Sequence, residues 1–214
     1  MKKIRVIFTK TDRMKFVSHL DMNRFFIRLV RMAKIPIWYT EGFNQHPYIS
    51  FALPLSLGFE SLYEIIDFKL TDDNFTNEML LDALNSKAVP GIRFIDAFEE
   101  NRKAKEIAFS KYEIKFIDSL SAKNFYDYLV KSNEISVLKT TKKGGTKEIE
   151  IKQYLRELDY NSETATISLT IPAGSELNIN PTLYVEAFNS ETALGVDYSV
   201  LRVAAYDKEL NLFR

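Results

Sequence analysis

Twice along its length the chain runs through the same order of patterns: a strand, an amphipathic helix, several strands, a second helix and a closing strand. Apolar residues alternating with period two mark strands, and recurrence near 3.6 marks helices. In the first half, Arg5 to Lys10 predicts a strand. Ser18 is placed to cap a helix, with Asp21 three residues on as the reciprocal acid. Met22, Phe26, Leu29, Val30 and Ala33 recur at helical spacing, so a helix is predicted over Ser18 to Lys34, ended by Pro36. Ile37 to Tyr39 predicts a short strand and Glu41 to Tyr48 a loop. Ile49 to Leu57 predicts a strand in which Pro54 points to an edge or a bulge. A strand at Ile65 to Leu70, a helix at Phe75 to Lys87 and a strand at Ile92 to Phe98 complete the half.

Glu99 to Ser110 is polar and charged, which suits a connection. Beyond it the pattern predicts a strand at Tyr112 to Ile117 and a helix at Ser121 to Lys131. Strands at Ile135 to Thr140 and Lys147 to Lys152 flank a turn at Gly144 and Gly145. A strand at Thr164 to Ile171, a helix opened by Pro181 and a final strand at Ser199 to Tyr206 follow. The expectation is an α+β protein of two ferredoxin-like (β-α-β-β-α-β) subdomains with extra short strands. They would occupy residues 1–100 and 111–214, joined by a linker at 101–110. The halves share no obvious sequence, and this plan hosts many functions, so it names none.

The 214 residues suit one large domain or two of roughly 100 each. There are no cysteines, which excludes disulfides, thiolate metal sites, cysteine nucleophiles and cysteine-ligated clusters within this sequence. That fits a reducing compartment, and a cytoplasmic protein is expected. The apolar run after Lys2, Lys3 and Arg5 is too short for a signal peptide, and no segment reaches the ~20 apolar residues of a membrane span. No membrane partner is expected.

Net charge is zero, but it is unevenly distributed. Residues 1–56 hold ten Lys/Arg against three Asp/Glu, and residues 57–100 hold three against ten. Such asymmetry marks an anion-binding face, or else two segments that fold together and neutralise each other.

Chemistry-bearing residues concentrate in the basic segment. Arg24, Arg28 and Arg31 share one helical face with Asp21, and three arginines in a row can hold phosphates or a carboxylate bidentately. Lys10 and Arg13 lie close by in sequence. The alternative is a solvated helix face. The only two histidines, His19 and His46, are also here. His19, Asp21 and His46 have the look of a facial iron triad, but residues i and i+2 do not share a face on a helix, so no metal is expected. A metal-free ribonuclease could instead use His46 or His19 as general base with arginines stabilising the charge. The bland readings are a packing or capping His19 and a loop residue His46. The stretch Tyr39-Thr40-Glu41-Gly42-Phe43-Asn44-Gln45-His46-Pro47 gathers an aromatic, a glycine suited to positive φ, an amide and an imidazole, the composition of a functional loop or of a wide hairpin connection. Lys139 to Lys147 is a second basic spot, suited to a nucleic-acid backbone or simply to a soluble turn.

Phe16-Val17-Ser18-His19-Leu20-Asp21, Arg24, Arg28, Arg31, then Gly42-Phe43-Asn44-Gln45-His46-Pro47, Ile49-Ser50-Phe51-Ala52 and Pro54-Leu55-Ser56-Leu57-Gly58 resemble the radical-SAM-linked protein family, a bacterial domain of unknown function. The specific motifs fall in residues 13–61. Gln45 and Ser56 stand where the family usually has proline. The resemblance implies a domain that is free-standing beside a radical-SAM gene or fused to the C-terminus of a radical-SAM protein. It implies no defined reaction. A radical-SAM enzyme needs three cysteines for its cluster, so this cysteine-free chain is expected to be a companion of such a protein, encoded nearby, and not the radical enzyme.

The leading expectation is a non-catalytic companion, without cofactor, that binds or presents an anionic substrate, above all RNA. The candidate binding residues are Lys10, Arg13, His19, Asp21, Arg24, Arg28, Arg31, Tyr39, Gly42, Phe43, Asn44 and His46. Two alternatives stay open: a metal-free RNA-processing enzyme using His46 and Arg24, and a protein-interaction module whose basic face meets an acidic partner.

Overall fold

The computed structural model describes residues 1–140 and 145–214, apart from the side chains of residues 139, 140, 146 and 147. The expected turn at Gly144 and the tip of the second basic spot lie outside the described residues. The protein is mixed α/β, with four α-helices among the described residues and β-sheet supplying most of its cores. It divides into two compact units: Met1–Glu106 with Leu212–Arg214, and Ile107–Asn211.

The first unit is built on strand β1 (Lys2–Lys10). Ile4, Val6 and Phe8 point to one face and are fully buried. Helix α1 (His19–Met32) covers that face with Met22, Phe26, Leu29 and Val30. Ser18 caps it as the sequence predicts, its Oγ accepting from the Asp21 N–H at 3.2 Å, while the Asp21 carboxylate takes the Ser18 hydroxyl at 2.8 Å and not the backbone N–H that a capping box uses. The helix ends with Lys34 in the left-handed region (φ 53°), where the Ile35 N–H reaches back to the Val30 carbonyl at 3.1 Å and the Lys34 N–H to Arg31 at 3.2 Å. That is the closed C-terminal motif normally built on glycine.

Strand β2 (Ile49–Phe51) is shorter than expected. The Ala52 N–H still reaches the Ile65 carbonyl, but Pro54 has no donor and the chain leaves the ladder before it. Strand β3 (Glu60–Leu70) begins five residues earlier than predicted, pairing along most of β1 with Val6 opposite Ile66. The predicted strand Ile37 to Tyr39 is reduced to isolated bridges, Ile37 to Leu70 and Tyr39 to Pro47. Helix α2 (Asn77–Asn85), capped by Thr76, buries Leu80 and Leu84 on the same sheet face, and β4 (Ile92–Glu99) pairs with β1. The order across the unit is β4-β1-β3-β2, all antiparallel. Phe26 sits at its centre, with the rings of Phe8, Phe51 and Phe94 at 5.1, 5.3 and 5.8 Å.

The opposite face of β1 carries charge. Arg5 and Asp67 stand directly across the ladder, fully and nearly fully buried, in a bidentate pair: Nε to Oδ1 at 2.8 Å and Nη2 to Oδ2 at 2.9 Å. The buried ring of Phe213 lies against two guanidinium groups, Arg5 at 4.8 Å and Arg102 at 4.9 Å, and its carbonyl accepts from the Tyr63 hydroxyl at 3.1 Å.

The second unit contains β5 (Phe109–Phe116), α3 (Ser119–Lys131), β6 (Ser136–Thr140), β7 (Thr146–Glu150), β8 (Glu157–Asn161), β9 (Thr166–Pro172), α4 (Thr182–Thr192) and β10 (Tyr198–Tyr206). Its strands run β10-β5-β9-β8, again antiparallel, while β6 and β7 form a separate ribbon inserted between α3 and β8. The sequence reading has no counterpart to β8, whose alternation is Glu157, Asp159 and Asn161 exposed against half-buried Leu158 and Tyr160. An edge strand needs to bury only one face lightly, so its hydrophobic signal is weak. Ile107, inside the stretch read as a linker, is buried, and β5 starts at Phe109.

Candidate functional site

All twelve candidate residues belong to the first unit. The outer face of α1 holds Asp21, Arg24, Arg28 and Arg31, every one exposed, because Met22, Phe26, Leu29 and Val30 take the inner face. Arg24 Nη1 donates to Asp21 Oδ1 at 3.1 Å. The Ser18 hydroxyl and then Arg24 hold the Asp21 carboxyl below the usual carboxylate range. Arg28 has no hydrogen bond or ion pair among the described residues. Arg31 Nε donates to the Tyr39 hydroxyl at 3.3 Å, which ties the last turn of α1 to the start of the loop.

The loop is closed on itself. The Thr40 N–H donates to the His46 carbonyl at 2.9 Å, and the His46 N–H to Thr40 Oγ1 at 3.2 Å. His46 Nδ1 lies 3.1 Å from the Asn44 carbonyl oxygen and 3.1 Å from Thr40 Oγ1. A carbonyl only accepts, so Nδ1 carries a hydrogen there, on an exposed side chain. Gly42 sits at φ 117°, a backbone state costly for any residue with a Cβ. It turns the chain so that Phe43 stands fully exposed, at 108% relative accessibility. Thr40 escaped the sequence reading as a site residue, although its place six positions before His46 makes it the residue that closes the loop.

Other candidates lie elsewhere or do other work. Lys10 is buried and its ammonium donates to the Val17 carbonyl at 3.0 Å, so it anchors the turn before α1. Arg13 is exposed in a 3-10 turn at Asp12–Phe16. The His19 ring packs edge-on against Phe51 at 5.2 Å, and its Nε2 lies 3.1 Å from Asn23 Nδ2. His19, Asp21 and His46 do not gather, and no group of three potential metal ligands occurs among the described residues. Trp38, beside the loop, has the Lys69 ammonium 3.7 Å from its ring centre and Tyr48 at 6.0 Å.

The two charged segments are partly joined. Lys3 pairs with Glu100 at 3.2 Å, which raises the lysine's pKa, and Arg5 pairs with Asp67. Arg13 and Arg28 meet no acid among the described residues. Cations of the basic segment left without an acid therefore include residues on α1 and before it.

No helix is long and apolar enough to cross a membrane among the described residues. No curated protein matches the chain. A family model matches residues 3–181, a span that contains every candidate site residue. On that match, the chain belongs to a family described as an uncharacterized protein conserved in bacteria (DUF2344).

Proposed function

We propose that this protein is a non-catalytic companion of a radical-SAM enzyme in the bacterial cytoplasm, and that it binds or presents an anionic substrate, RNA fitting best. The observation that carries the binding half is the Arg31–Tyr39 hydrogen bond, which fixes the loop against the helix that bears Arg24 and Arg28. Guanidinium groups supply phosphate contacts, and the loop supplies an aromatic and polar edge groups, the combination that suits single-stranded RNA. The partner half rests on the sequence resemblance alone. We also infer a ferredoxin-like plan for each unit, supported by the antiparallel strand orders β4-β1-β3-β2 and β10-β5-β9-β8 around two helices.

The test is a binding titration of the purified protein against RNA over a range of salt, with co-purification of the neighbouring radical-SAM protein before and after nuclease treatment. Affinity that falls steeply as salt rises supports the anion reading. Capture of the partner that survives nuclease treatment, with no RNA bound, supports an interaction module instead.

A metal-free RNA-processing enzyme is favoured by one observation: His46 has its Nδ1 hydrogen fixed by Asn44 and Thr40, as a general base needs. RNA cleavage by the wild type that is lost in His46→Ala would establish it.

A further inference from the structure

We propose that this surface takes an unpaired nucleotide, with the base laid on the ring of Phe43 while the arginines of α1 hold the backbone; this rests on the anion-binding reading above. Of the aromatic rings in and beside the loop, Phe43 is the one left open. Trp38 has the Lys69 ammonium on its face at 3.7 Å. Tyr48 lies against Trp38 and has the Lys3 ammonium at 5.8 Å. The Tyr39 hydroxyl is engaged by Arg31. Phe43 alone is fully exposed, and no ring or cation packs on it among the described residues.

A single exposed phenylalanine on a surface is ordinary. This one is held out by a constrained backbone: Gly42 at φ 117° before it, and the Thr40–His46 hydrogen bonds bracketing it. It lies four positions after Tyr39, so its Cα is within about 14 Å of the Tyr39 Cα. A ring with both faces open, on a loop tied through Tyr39 to the helix that carries the arginines, suits a ligand that joins a flat π-system to negative charge. In a duplex the base faces are stacked on their neighbours, so only an unpaired nucleotide can use the ring.

The experiment compares a short labelled oligouridine, a blunt RNA duplex of equal length and inorganic polyphosphate, using the full chain and its Phe43→Ala and Phe43→Trp variants. The expected result is tighter binding of oligouridine than of duplex, weakened about ten- to hundredfold by Phe43→Ala and kept by Phe43→Trp, with polyphosphate binding the same in all three. If Phe43→Ala binds oligouridine as the wild type does, or the duplex binds as well as oligouridine, the stacking inference is overturned while the anion reading survives. If the wild type binds neither RNA nor polyphosphate, both fall.

Discussion

Arg31 and Tyr39 meet through a hydrogen bond of 3.3 Å between the guanidinium Nε and the phenol oxygen, which joins the C-terminal turn of α1 to the loop that carries Phe43 and His46. They stand eight positions apart in sequence, and a left-handed Lys34 and Pro36 lie between, so the contact exists only because the chain reverses at that point.

Tyr39→Phe keeps the ring and removes the oxygen. Both partners are exposed, so the stability change should stay below about 1 kcal/mol by chemical denaturation. RNA affinity should fall several-fold, because the loop is no longer held to the arginine face. Unchanged affinity would mean that loop and helix act separately.

Arg24→Ala with Arg28→Ala should fold normally, within about ±0.5 kcal/mol per site, because neither side chain is buried and only Arg24 has a partner, the exposed Asp21. Loss of two charge-assisted contacts should weaken RNA binding at least about a hundredfold. An unfolded double variant would make the arginines structural. A folded one that binds as wild type would return them to a solvated face.

Asp67→Asn should destabilise the first unit by about 3 kcal/mol, measured by urea denaturation, because it leaves the buried Arg5 guanidinium without its counter-charge. Arg5 Nη1 already lacks a hydrogen-bond partner among the described residues, and the Phe213 ring at 4.8 Å offers no formal counter-charge. The double variant Arg5→Met with Asp67→Leu should recover most of the loss. Little effect from Asp67→Asn would show that the pair is not buried in solution.

The first turns of α1 and α3 should loosen in acid. Asp21, through Ser18 and then Arg24, and Asp118, through Ser121, both have carboxyls held below the ordinary aspartate range. For a depressed carboxylate the stabilisation is complete above the unfolded pKa and is lost as pH falls through the folded value. Amide exchange in these turns should therefore be protected at neutral pH and accelerate below about pH 4, relative to the helix centres. Ser18→Ala should shift the α1 transition and leave α3 untouched.

Local chemistry made part of this protein legible from sequence. The Ser18–Asp21 cap, the buried stripe of α1, the positive φ at Gly42 and the position of the closing strands depend on residues within a few positions of one another. Exposure does not. Arg5, Lys10 and Arg28 count equally toward the basic segment, yet Arg5 is sealed against Asp67, Lys10 is spent on the Val17 carbonyl, and Arg28 faces water. Trp38 and Phe43 offer the same aromatic signal, and Lys69, 31 residues from Trp38, decides which ring stays open. β8 was invisible because its pairing with β9, not its own hydrophobicity, makes it a strand. The sequence sets each side chain's chemistry and its neighbours along the chain, whereas burial, ion pairing and ring access come from partners across the sheet, which only the tertiary structure brings within a few ångströms.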